Sequence, residues 1–385
     1  MIVIVGGGII GLAIGWELAK RGVLSTIVER GEAGRGASWA AAGMLPPHAE
    51  VEPAEERLLP LLLAGRALWP AYAAELSAAT GIDVDYRTDG ALLVALDRDD
   101  AAQLKFRHDL QQRHGLTVEW LSGAEARQLE PYLSRSTTAA VFSPDDHCVD
   151  NRAVVVALAA AYRRAGGVLR EHTEVVGLRT EHGRVGGVDV AVAVDGRDAG
   201  DVRDIETLAA DAVVVAAGAW SRGLPGLPEI ARPPVRPVKG QMLALRMDAA
   251  APIVTRMIWA PDAYLVPRGD GRLLVGATVE EQGFDTTLTA GGIRGLLDGA
   301  WEAVPGVDEL PLVETWAGLR PTSRDDAPIL GPTAIDGLWL ATGHHRNGVL
   351  LAPITGALIA EGLVTGGMPE AGAVGEECGQ SGIGE

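Results

Sequence analysis

The sequence is short of three things. Positive charge is the first: 33 Lys and Arg stand against 51 Asp and Glu, a formal net charge of −18. Phosphate backbones are bound by clustered Lys and Arg, so a nucleic-acid partner is excluded. The same deficit argues against docking on anionic lipid. Cysteine is the second. Cys148 and Cys378 are the two present, far apart in sequence, which rules out a disulfide framework and points to a reducing compartment. The third is a long apolar run: none reaches the roughly 18 uninterrupted apolar residues of a membrane span. A first strand starting at Ile2 leaves no room for a signal or transit peptide. The expected location is the cytoplasm, with no membrane partner.

Glycine is in surplus instead. Of 385 residues 50 are glycine, nearly twice the usual share of about 7%. Part of that surplus must mark tight turns or close backbone approaches. The remaining composition is that of a globular protein, 47% hydrophobic and 22% charged. A chain this long suggests two domains, or one α/β body with an inserted lobe.

Ile2–Val5 is an unbroken apolar run, as in a strand buried on both faces. Gly6-Gly7-Gly8 ends it, an apolar helix follows over Ile9–Lys20, and Gly22 is a suitable C′ residue. Val23–Val28 then reads as a second strand ending in Glu29-Arg30. Further helices are predicted over 56–76, 98–113 and 151–165, the last N-capped by Asp150. Strands are predicted over 90–96, 212–216, 240–245, 264–267, 273–277 and 337–341, and a last helix over about 348–363. Residues 366–385 lack apolar periodicity and are expected to be disordered.

Gly6-x-Gly8-x-x-Gly11 opens a helix directly after a strand. Gly6 permits the tight turn, Gly8 lets backbone amides approach a pyrophosphate, and Gly11 lets the helix pack against the strand. Glu29 ends the second strand where a carboxylate can accept hydrogen bonds from ribose hydroxyls. Regular β-α units do not follow, as an NAD domain would require. A small-residue loop, Gly36-Ala37-Ser38-Trp39-Ala40-Ala41-Ala42-Gly43-Met44, follows instead, and small side chains let backbone lie against a large flat ligand. Far along the chain, Gly343-His344-His345-Arg346-Asn347-Gly348 aims a second helix start at a ligand. One pyrophosphate does not need two such termini, whereas a flavin does, because the second can stabilise its anionic reduced ring.

These blocks, with Trp316-Ala317-Gly318-Leu319-Arg320-Pro321, Val238-Lys239-Gly240-Gln241 and Tyr264-Leu265-Val266-Pro267-Arg268, make the chain resemble the FAD-dependent D-amino acid oxidase superfamily. Within it the glycine oxidase branch of thiamine biosynthesis is the most similar. The resemblance implies an α/β (α+β, two-lobed) fold. A discontinuous Rossmann-like FAD-binding domain would take residues 1–80, 145–225 and 325–365. A substrate-binding domain built on a mixed or antiparallel sheet would take 81–144 and 226–324. It implies non-covalent FAD held by Gly6, Gly8, Ile9, Ile10, Gly11, Glu29, Arg30, Ala37, Ser38, Ala42, Gly43, Met44, Val175, Gly218, His344, His345, Arg346, Asn347, Gly348, Val349 and Leu350.

It further implies that Arg320 clamps the substrate carboxylate with its planar fork. Tyr264 would donate to the same carboxylate, and Arg346 would lie at the substrate and flavin edge. The implied activity is oxidative deamination of glycine, extending to sarcosine or small D-amino acids, to the imine and glyoxylate, with O2 reduced to H2O2. Implied partners are a thiazole-forming enzyme taking the imine and further copies of the chain as a homo-oligomer. Two alternatives stand beside it: an oxidase or dehydrogenase of another small amine acid (sarcosine, proline, a D-amino acid), and a non-catalytic flavin-binding subunit. Val279 takes the place of a Met in the related motif, and Asp262-Ala263 precede Tyr264, so the pocket differs there.

Asp145-Asp146-His147-Cys148 lacks the ligand spacing of a metal site and reads as the loop before the helix at 151. Lys239 reads as a solvated or cofactor-edge lysine, and neither His344 nor His345 is assigned a proton transfer.

Overall fold

The computed structural model describes residues 1–192 and 204–369. Its first sheet has six strands, in the order Ile329–Pro332, Leu338–Thr342, Ala212–Val215, Ile2–Val5 (β1), Ser25–Val28 (β2) and Val168–Arg170. All neighbours pair in parallel except the Ile329–Pro332 edge. The side chains of β1 enter a core on each face of this sheet, Ile4 in one and Val3 and Val5 in the other, which is why it reads as an apolar run without alternation. Helix Ile9–Lys20 (α1) is buried along nearly its whole length. It packs against helices Asn151–Arg164 and Ala352–Thr365 in one core cluster. Gly356 makes that contact close: a Cβ there would lie 3.0 Å from the Ala13 carbonyl oxygen.

The second large sheet has eight strands, in the order Leu312–Thr322, Arg236–Arg246, Arg272–Gly276, Tyr264–Pro267, Met257–Trp259, Ala91–Ala95, Ala139–Ser143 and Glu119–Ser122. Its pairs are antiparallel except Met257–Trp259 with Ala91–Ala95. Helix Ala290–Ala303 closes the apolar core on one side of it. A third, antiparallel sheet of Thr173–Glu181, Arg184–Val192 and Asp204–Ala209 lies beside the first.

Helix Arg98–Arg113 matches its predicted bounds, with Asp97 and Asp100 forming a capping box. Asp150 caps the helix at 151 through the N–H groups of Arg152 and Ala153. Elsewhere the boundaries move. The helix predicted from 56 runs over Leu59–Thr80, and β2 begins at Ser25. The last helix begins at Ala352, after a 3-10 turn over His345–Asn347. His147–Cys148 is not loop but a two-residue strand paired with Met44–Leu45. Of the stretch 366–385 expected to be disordered, Gly366 is the left-handed cap of the last helix, while residues 370–385, Cys378 among them, lie outside the described residues. Among the described residues no helix is long and apolar enough to cross a membrane.

Candidate active site

A cavity of about 1700 Å³ runs from the start of α1, past the loop at 36–44, to the face of the eight-stranded sheet. At one end the backbone is shaped for an anion. Gly6 has φ +110°, and a Cβ there would sit 2.4 Å from the Ala216 carbonyl oxygen. Gly11 is off the cavity wall, and its role is steric: a Cβ would meet the Gly6 oxygen at 2.0 Å. The Ile9 N–H donates to Ser38 Oγ at 2.9 Å. The Ile10 and Gly11 N–H groups have no protein acceptor among the described residues, and the first turn of α1 holds no acidic side chain. This leaves the positive end of the helix open to a phosphate.

Glu29 accepts the Gly7 N–H at 2.8 Å and the Gly31 N–H at 3.0 Å, one on each oxygen. Each oxygen keeps a further acceptor position, the capacity that ribose hydroxyls require. Arg30 lies with its guanidinium 3.9 Å over Trp220, whose other stacking partner is Phe284. Gly218 and Val175 also line the cavity.

The loop at 36–44 forms the middle of the wall, with Ala37, Ser38, Ala42, Gly43 and Met44 on it. Its carbonyls are drawn outward. Ser38 O accepts from Asn151 Nδ2 at 2.7 Å, Ala40 O from Trp316 Nε1 at 3.0 Å, and Ala42 O from Arg268 at 2.6 Å. The Ala42 and Gly43 N–H groups have no protein acceptor among the described residues. Orphaned amides are rare in folded chains and mark a place where a ligand completes the bonding.

His344, His345, Arg346, Gly348 and Val349 line the cavity beside the Leu312–Thr322 strand, where His345 Nδ1 pairs with Thr322 Oγ1, while Asn347 and Leu350 are off the wall. Burial drives His344 down to about 3, and its Nε2 pairs with Thr355 Oγ1. Burial, with Arg346, Arg320 and Arg236 nearby, puts His345 at about 4 against the opposing pull of Asp326. Both rings are therefore neutral at pH 7. Arg346 donates through Nε to Glu50 at 3.0 Å and through an Nη to Glu55 at 2.5 Å. Burial works against its charge, but the two carboxylates more than offset this and raise its pKa.

Arg320 and Tyr264 meet at the sheet end of the cavity. Their strands are three steps apart, about 14 Å at ordinary strand spacing. The two strands between carry glycine where the side chains must cross. A Cβ on Gly240 would lie 2.6 Å from both terminal nitrogens of Arg320, and one on Gly276 would lie 2.5 Å from the Tyr264 hydroxyl. Arg320 donates to the Thr278 and Lys239 carbonyls. No carboxylate of the described residues forms an ion pair with it. Burial pushes the Tyr264 phenol up to about 12, with Arg320 opposing the rise, so the hydroxyl keeps its proton and can donate.

Sequence reasoning missed Glu50, Glu55 and Asn151, and it did not single out Gly240, Gly276 or Arg268 within their blocks. No local signal marks the two glutamates, which act across almost 300 residues of chain. Lys239 is not solvated: it is 2% exposed, bonds the Thr287 carbonyl and pairs with Glu280. Val279 is on the cavity wall and 75% exposed. Asp146 spends its carboxylate on the His48 and Ala49 amides, and His147 bonds Tyr86. Among the described residues no group of three acidic, His or Cys side chains could hold a metal.

A family model described as FAD dependent oxidoreductase matches residues 1–362. The chain belongs to this family. Among its relatives, the glycine oxidase of Geobacillus kaustophilus is 39% identical over 365 residues, covering 94% of this chain and 92% of that protein. The bifunctional protein ThiO/ThiG of Trichormus variabilis is 36% identical, covering 94% of this chain and 52% of that longer protein. The crystal structure of the Geobacillus kaustophilus glycine oxidase aligns with a TM-score of 0.84 at 38% identity, covering 96% of this chain and 95% of that one.

The residues present fit FAD. The open amides of α1 suit its pyrophosphate, and Glu29 suits a ribose. The orphaned Ala42 and Gly43 amides suit the acceptor edge of a flavin ring. The cavity also exceeds the roughly 300–1,000 Å³ of ordinary small-ligand pockets, as an extended dinucleotide beside a substrate requires.

Proposed function

We propose that this FAD-dependent oxidoreductase oxidises glycine, with sarcosine and small D-amino acids as further substrates, to the imine and on to glyoxylate, with O2 reduced to H2O2. Arg320 carries the reading. It is a cation without a carboxylate partner among the described residues, held with Tyr264 in the cavity that also contains the dinucleotide cradle. A planar guanidinium takes a carboxylate by two parallel bonds, and the protonated Tyr264 hydroxyl can add a third. Fixing the carboxylate at both groups fixes the direction of the Cα–H bond, which is where orientation accelerates the reaction. Bound FAD would supply the two-electron acceptor, with O2 as the final oxidant.

Among the described residues no side-chain base is hydrogen-bonded to Arg320 or Tyr264, and Asp262, on the wall beside Tyr264, is exposed to solvent. Both histidine rings beside the clamp are bonded to threonine hydroxyls, and Glu50 and Glu55 are held by Arg346. The substrate amine therefore reacts in its neutral form. The imine is the product that a thiazole-forming enzyme would take, a hand-over suggested by the relatives whose name joins ThiO to ThiG.

The test is anaerobic. Purified protein should be yellow, and glycine should bleach it, with H2O2 formed when air is admitted. Sarcosine, D-alanine and proline in the same assay rank the amine acids. Protein that stays colourless after flavin supplementation, or is bleached by no amino acid, overturns the proposal.

A further inference from the structure

Arg268 is 3% exposed, on the turn that follows the Tyr264–Pro267 strand. One terminal nitrogen donates to the Ala42 carbonyl at 2.6 Å and to Asn151 Oδ1 at 3.2 Å. Its Nε and other terminal nitrogen have no partner, and it forms no ion pair among the described residues. A buried cation without a counter-charge costs several kcal/mol. Fastening one loop does not require it, since Trp316 and Asn151 fasten the same loop with neutral donors.

The place of the bond explains the charge. The Ala42 carbonyl and the Gly43 N–H belong to one peptide unit, and in a trans peptide they point in opposite directions. Arg268 holds the oxygen from behind the wall. The N–H on the other side has no protein acceptor, and Gly43 lines the cavity. A charge-assisted bond at the oxygen polarises the peptide and strengthens the N–H as a donor. The position tolerates glycine alone: Gly43 has φ +65°, and a Cβ would meet the Val149 oxygen at 2.0 Å and Arg268 at 2.8 Å.

We propose that Arg268 is a positioning residue for the cofactor's electronics. Through the Ala42–Gly43 peptide it presents a polarised N–H to the flavin ring and a positive field behind it. Both favour the reduced form, which gains negative charge, so Arg268 holds the reduction potential up. The inference rests on the flavin reading of the cavity.

The experiment measures the two-electron potential of FAD-loaded protein by dye equilibration, with sulfite affinity as an independent readout of ring electrophilicity. Arg268→Met should lower the reduction equilibrium constant about tenfold, about 30 mV for two electrons, and weaken sulfite binding by a similar factor. Arg268→Lys, which keeps the charge, should retain most of the potential. Asn151→Asp puts a carboxylate beside Arg268 and should lower the potential with the guanidinium in place. An unchanged potential in loaded Arg268→Met overturns the inference. Should that variant not load, an unchanged potential in Asn151→Asp does so. Wild-type protein that takes up no FAD defeats the flavin reading instead, an outcome distinct from a loaded variant with normal potential.

Discussion

The guanidinium of Arg320 lies on the bare Cα of Gly240, one strand away from its own. In the clamp proposed for Arg320, the absence of a side chain at that position is what gives the guanidinium its room. Gly240→Ala adds one methyl group 2.6 Å from both terminal nitrogens, and its three nearest neighbours are all guanidinium atoms of Arg320. The expected outcome is a KM for glycine raised about tenfold or more, with flavin absorbance and FAD affinity unchanged. Steady-state O2 consumption beside a flavin titration checks it.

Removing the clamp itself should cost more. Arg320→Ala would delete the two charge-assisted hydrogen bonds proposed to the substrate carboxylate, each worth about 1.5–3 kcal/mol. The apparent KM for glycine should rise about 100-fold while the protein still purifies yellow. Arg320→Lys should recover a minor part of this loss, because an ammonium lacks the planar fork. A KM unchanged in the alanine variant would reject the assignment.

Arg346 is a cation of a different kind, since Glu50 and Glu55 already occupy it. Glu50→Gln removes one of the two carboxylates and leaves Glu55 to hold the guanidinium. The local potential becomes more positive, and Glu50 also faces Arg320. Small carboxylate inhibitors such as acetate should then bind several-fold more tightly, about 1 kcal/mol at most by the scale of one pKa unit. Inhibition constants at two ionic strengths measure this, the gain shrinking as salt rises.

His344 makes a prediction about pH and stability. Its pKa in the fold is about 3, against an ordinary 6.5. Between these values the unfolded chain binds a proton that the native state does not. Stability from this group is therefore complete above about pH 6.5 and is lost as pH falls toward 3, about 2 kcal/mol of it by pH 5. His345 and His147 act in the same direction, and Asp146, raised to about 7 by burial, acts in the opposite one. The difference between wild type and His344→Gln isolates the single group. The variant's denaturant midpoint should fall less steeply between pH 6.5 and 5 than that of the wild type.

Much of this was legible in the sequence wherever the physics is local. The turn at Gly6, the helix after it and the acid ending β2 lie within 30 residues, and backbone sterics fix them. Helix Arg98–Arg113 carries its own start signal in Asp97 and Asp100. The last helix was misplaced by four residues because His345–Asn347 is already turning, as a 3-10 segment, before Ala352. What stayed hidden depends on register. That Gly240 would lie beneath Arg320, and Gly276 beneath Tyr264, follows from strand order and pairing, which no periodicity encodes. Glu50, Glu55 and Arg268 were hidden for a related reason: each acts on a distant backbone or side chain, and nothing beside it in sequence shows the target.

The central position of β1 has a consequence for how the protein comes to hold its cofactor. β1 is paired on one side only when residues 212–215 arrive, and Leu338–Thr342 must then add beyond them. The cavity draws its walls from segments between Val5 and Val349, so no early portion of the chain contains a finished site. Such long-range pairing makes for slow assembly. It also makes cofactor affinity a property of the whole chain: bound FAD stabilises both large sheets by mass action, and a lesion in either should be felt first as loss of yellow colour.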